Sequence, residues 1–95
     1  MVKSIAEAID QGIKRAGSGT RLAQVLECTR PNVADARAGR RGLTAYQVAR
    51  LADYIGEDAL ELLALDALDR ERDEARREVM RRLFFSGVVL GGLVC

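Results

Sequence analysis

Residues 19–41 read GTRLAQVLECTRPNVADARAGRR, and this stretch decides the fold of the chain. Two short amphipathic segments meet at Glu27-Cys28-Thr29, and the second leaves through Gly39-Arg40-Arg41. If both are helical, Leu22, Leu26, Cys28, Val33 and Ala36 turn into one interior, while Arg21, Gln24, Arg30, Asn32, Asp35 and Arg37 stay outside. Ala23 stands where two helices crossing over a tight turn leave room for only a small side chain. Thr29 can accept a hydrogen bond from the first free N–H groups of the second helix, and Pro31 fills a position that needs no donor. Because a residue before proline disfavours the α region, Thr29 and Arg30 both qualify as the cap.

Outward from this stretch the pattern stays helical. Ser4 with Glu7 forms a capping-box pattern, and Ile5, Ile9 and Ile13 recur every four residues, which predicts a first helix from about residue 4 to Ala16. Lys14 and Arg15 suit its negative pole, and Gly17-Ser18-Gly19 ends it. On the other side Arg40-Arg41-Gly42 makes a basic loop. Leu43-Thr44 then opens a helix to Ile55 with Val48, Leu51, Ala52 and Ile55 as its apolar stripe. Tyr46 is expected to bury its ring there, with its hydroxyl at the edge. Gly56 stops this helix and Asp58 caps a fifth.

Residues 58–82 contain neither glycine nor proline. Asp73/Arg77 and Glu78/Arg82 place an acid four residues before a base, so the fifth helix is expected to extend as a charged, solvated rod. Leu65, Leu68, Ala75, Val79 and Leu83 give only a broken seam, interrupted by Arg72, which argues against a coiled coil. The chain ends in LFFSGVVLGGLVC, residues 83–95, without a charge. That run is short of the ~20 residues a helix needs to cross a bilayer, yet more apolar than a free surface segment. The division expected is 1–62 for the helical domain, 63–82 for a charged helical extension and 83–95 for an apolar tail.

Ninety-five residues hold one small core, and no run alternates apolar and polar with period two, so the fold class is all-α. The net charge is +1 but unevenly spread. Residues 1–42 carry eight Lys/Arg against four acids, residues 43–69 one against six, and residues 70–95 six against four. A basic excess over the two-helix stretch suits a protein that meets phosphate on one side; ordinary solvated helix faces would look the same. With no histidine and only Cys28 and Cys95, histidine triads and zinc clusters are excluded, and no enzyme, metal or cofactor is expected. Cys28 reads as a small core residue. Cys95 is not in a prenylation box, which needs the cysteine four from the end. No secretory signal opens the chain, so a cytoplasmic setting is expected.

Leu22-Ala23 with Val33 ten residues after the alanine, Thr29-Arg30 opening the second helix and Arg37-Ala38-Gly39-Arg40 closing it resemble the Cro/CI-type helix-turn-helix of phage repressors and related bacterial regulators, over about residues 4–62. There are two departures: Glu27 stands where that family usually has glycine, and Ala36 where a bulkier apolar residue is common. A left-handed Glu27 would cost about 1–2 kcal/mol. The resemblance implies a five-helix lambda-repressor-like bundle, a DNA-binding transcriptional regulator, and a homodimer on double-stranded DNA with residues 30–38 in the major groove. Arg30 suits guanine, Asn32 adenine and Asp35 the cytosine amino group. Arg21, Gln24, Thr29, Arg40 and Arg41 suit phosphates, and Arg37 either joins them or pairs with a nearby acid. The competing expectations are a protein-interaction module on the same bundle and a membrane-associated protein acting through Leu83–Cys95.

Overall fold

Every α-helix among the described residues starts at a side chain that accepts a hydrogen bond from its own first turn. In the computed structural model, which describes residues 2–86, Ser4 caps α1 (Ile5–Ala16), Ser18 caps α2 (Gly19–Leu26) and Thr29 caps α3 (Arg30–Ala38). Thr44 caps α4 (Ala45–Ile55), Asp58 caps α5 (Ala59–Arg70) and Asp73 caps α6 (Glu74–Arg81). Each oxygen satisfies an N–H that has no partner within the helix. The Thr44 box is complete, because Gln47 Oε1 accepts from the Thr44 N–H at 3.0 Å. At α1 the carboxylate of Glu7 accepts from the Lys3 N–H instead, one residue early. The first four helices end on a left-handed residue, at Gly17, Glu27, Gly39 and Gly56.

The all-helical body forms around Ile9, Leu22, Leu26, Val48, Leu51 and Leu62, all essentially without solvent exposure. Helix α4 packs on α1, α2 and α5, and α1 also receives α3. Gly12 lies where α1, α2 and α4 meet: a Cβ there would come within 2.9 Å of methyl groups of both Leu22 and Leu51. The isoleucine stripe of α1 grades from buried Ile5 and Ile9 to half-buried Ile13. Tyr46 is not a core residue, contrary to its sequence expectation, and is 57% exposed. It precedes Val48 by two residues, about 200° around the helix, so burying the Val48 stripe turns the ring outward.

Helix α5 runs unbroken through residue 62 to Arg70, and its second half remains part of the body. Leu68 and Asp66 are buried there, and Asp69 Oδ2 accepts the Ile5 N–H at 2.9 Å across the bundle. The expected continuous rod over 58–82, and with it a count of five, gives way to six helices among the described residues. Glu71 and Asp73 are both extended, at φ −78°, and break the helix between α5 and α6. Beyond Leu68 no side chain of α6 is buried, so packing no longer favours continuing the helix. The Asp73 carboxylate instead bonds the Arg76 N–H and starts a new one. A single π-turn, Arg82–Ser86, follows. No helix among the described residues is long and apolar enough to cross a membrane, and the tail expectation over 83–95 lies outside them beyond Ser86.

Asp66 is bonded by Arg70 at 2.6 Å, and that guanidinium lies against Gly42, where a Cβ would collide with it. Burial raises the Asp66 pKa above the ordinary carboxylate range; Arg70 opposes this and Asp69 adds to it. As pH rises, the unfolded carboxyl therefore ionises before the folded one. The contribution of Asp66 to stability is fullest below the ordinary carboxylate value and falls as pH climbs through that value to the raised one. Urea unfolding of wild type and Asp66→Asn from about pH 3 to about pH 7 should show wild type losing ground to the variant across the window. A flat or opposite difference would contradict the assignment.

Candidate nucleic-acid interface

The two helices of the motif meet as their side chains require. Leu22, Ala23 and Leu26 of α2 and Val33 and Ala36 of α3 are buried together, and Cys28 in the turn is half-buried against them, which raises its thiol pKa. Of the two candidate caps, Thr29 is the one used: it is extended at φ −98°, and its Oγ1 accepts from the Asn32 N–H. Its neighbour Arg30 is already helical, with Pro31 within the first turn.

Glu27 is left-handed at φ 58° and ψ 45°, the one non-glycine residue with positive φ among those described. The Cys28 N–H bonds back to the Ala23 carbonyl at 2.9 Å, so the chain reverses here as it usually does on glycine. Helix α4 braces this turn. The Tyr46 hydroxyl donates to Glu27 Oε2 at 2.5 Å, and Arg50 Nε donates to the Val25 carbonyl at 3.1 Å. The hydrogen bond to Glu27, followed by desolvation and the Glu27 charge, holds the Tyr46 pKa above the usual phenol range, with Arg50 opposing. Glu27→Gly removes the left-handed penalty of about 1–2 kcal/mol but also the Tyr46 acceptor. A net gain of about 1 kcal/mol is expected by urea unfolding, whereas Glu27→Val, β-branched at positive φ, should destabilise. A stabilising valine would refute the strain.

Helix α3 turns Val33 and Ala36 inward and leaves Arg30, Pro31, Ala34, Arg37 and Ala38 exposed, with Asn32 and Asp35 half-buried. Ala36, small for its place, is buried at 4% exposure and so still serves as a contact. Two of the three expected base readers, Asp35 and Asn32, are bonded to two of the expected phosphate holders, Arg40 and Arg41. Asp35 Oδ1 accepts from Arg40 Nε at 3.0 Å and Nη2 at 2.9 Å, and Asn32 Oδ1 accepts from Arg41 Nη1 at 2.6 Å. The exit loop thus folds back along α3, helped by the Arg40 N–H on the Asp35 carbonyl at 2.9 Å. Arg30 extends from the start of α3 without such a tie among the described residues. Arg21 and Gln24 are exposed on α2, and Thr29 sits at the turn.

Arg37 resolves to the structural of its two expected roles. It binds both carboxylate oxygens of Asp10, joining α3 to α1, and that hydrogen bond raises its pKa further, with the Asp10 charge adding to it. Asp10 and Tyr46 carry no sequence signal for these partnerships. Both are single polar residues on helix faces whose neighbours only packing defines.

The chain matches no protein-family model, no curated protein and no solved structure.

Proposed function

We propose that this protein is a sequence-specific DNA-binding transcriptional regulator of phage-repressor type, in which α3 lies in the major groove. The observation that supports this most is α3 itself. It is a nine-residue helix capped by Thr29 and seated on α2 through Val33 and Ala36, with Arg30, Asn32 and Asp35 free of the core and Arg21, Gln24, Arg40 and Arg41 around them. In this reading Arg30 pairs with guanine O6 and N7, while Asn32 and Asp35 meet adenine and cytosine. Arg21, Gln24, Thr29, Arg40 and Arg41 hold phosphates and set register. The pairs Asp35–Arg40 and Asn32–Arg41 hold the two groups in one constellation before DNA arrives, which lowers the ordering cost of binding.

One such helix spans only a few base pairs, so the protein acts as a homodimer on an inverted repeat with half-sites about one DNA turn apart. Selection from random duplexes, followed by shift assays against random competitor, tests this. A selected inverted repeat bound by two chains is expected, and binding that random duplex competes away equally refutes it.

A second reading has a specific observation behind it. Leu60 is 78% exposed on α5 and Leu83 64% exposed at the C-terminal turn, and Phe84 and Phe85 face Leu60 and Leu63 across an apolar groove of about 700 Å³. That surface suits association of two chains. Truncation after Arg82 should then lower the apparent size by light scattering and leave the helical melting of the bundle unchanged.

A further inference from the structure

Gly42 and Arg70 bring the exit of α3 against the α5–α6 break. The Arg70 guanidinium, held by Asp66, occupies the space that a side chain at residue 42 would need. The two segments flank a cleft of about 630 Å³ whose lining includes Arg40, Arg41, Arg70, Arg72 and Arg77 together with Asp66, Asp69, Glu71 and Glu74. Three of these acids already accept hydrogen bonds from the chain: Asp66 from Arg70, Asp69 from the Ile5 N–H and Glu71 from the Asp73 N–H. Among the arginines, Arg70 and Arg40 are held by carboxylates.

The other three are committed differently. Arg41 bonds only the neutral amide of Asn32, and Arg72 makes no side-chain hydrogen bond among the described residues. The Nε of Arg77 is buried with no acceptor among them. That atom is closed to solvent, but Arg77 lines the cleft and makes no side-chain hydrogen bond among the described residues, so its guanidinium is not committed to an acid of the chain. The planar fork of arginine matches the oxygens of a phosphate, and Arg41 already stands beside the proposed recognition helix.

We propose that this cleft seats a phosphodiester of the DNA backbone next to the phosphates met by Arg40 and Arg41, with Arg72 and Arg77 as its added donors. The inference rests on the DNA-binding reading and extends it to the α5–α6 break. Arginines exceed acids in the lining by only one, which suits a single phosphate and not a long track along the strand.

The test is the salt dependence of binding by the full chain, using the selected duplex and a random duplex. Arg72→Ala is exposed and safe for folding; Arg72→Ala with Arg77→Ala removes both donors. Arg76→Ala, on the same helix but outside the cleft, removes the same charge. Because one phosphate is at stake, Arg72→Ala should lower the slope of log K against log salt and the double variant should lower it by about 1 in all, on both duplexes alike, so their ratio stays unchanged. Arg76→Ala should leave the slope at its wild-type value. An unchanged slope in Arg72→Ala, or an equal fall in Arg76→Ala, overturns the site while leaving the DNA reading in place. Wild-type protein that binds neither duplex overturns the DNA reading and this site with it.

Discussion

Leu51→Ala should lower the stability of the bundle by about 2–5 kcal/mol, a large part of the 5–15 kcal/mol typical of a small domain. Leu51 has no solvent exposure, and its methyl groups close the point where α1 and α4 meet over Gly12. The loss comprises the transfer of the deleted atoms and the cavity they leave, and helices pinned by caps at both ends relax little to fill it. Gly12→Ala supplies a check on the geometry. Alone, its Cβ presses on Leu22 and Leu51, so the gain in helix propensity of about 1 kcal/mol over glycine is offset. In the Leu51→Ala background the same methyl enters the vacated space, and the two changes should couple favourably. Urea midpoints of the four proteins measure this, and strictly additive effects would refute the packing at Gly12.

Arg30→Ala should weaken binding to the selected duplex by about 1–3 kcal/mol, roughly 5- to 150-fold, and relax preference at one base pair. Arg30 is exposed at the first turn of α3 and makes no side-chain hydrogen bond among the described residues, so its removal leaves the fold intact. Arg40→Ala should behave differently, weakening all sequences alike and lowering the salt slope by about 1, as loss of a phosphate contact does. Anisotropy titrations of both variants on selected and single-base-changed duplexes, at several salt concentrations, separate them. If the two variants behave alike, the division between base reader and phosphate holder is wrong.

The local structure of this chain was determined by its sequence over spans of three or four residues. Ser4, Ser18, Thr29, Thr44 and Asp58 each cap a helix through a bond to an N–H three residues on, and Gly17, Gly39 and Gly56 each supply a left-handed exit. Such preferences act within one turn of chain, so they hold whatever the rest of the molecule does. The apolar periodicity was equally informative about which faces turn inward, and it placed Arg30, Asn32 and Asp35 outside the core.

Periodicity names a face but not what lies opposite it, and there the tertiary structure decided. Asp10 with Arg37, Val25 with Arg50, Glu27 with Tyr46 and Ile5 with Asp69 are joined because particular helices cross, over separations of 19 to 64 residues. The same crossings placed Arg70 against Gly42, and so brought Arg72 and Arg77 to the exit of α3. The break at Glu71–Asp73 has this origin too. Residues 58–82 carry no intrinsic helix breaker, and the helix ends where burial of α5 against the bundle ends and a local cap on α6 becomes the stronger interaction.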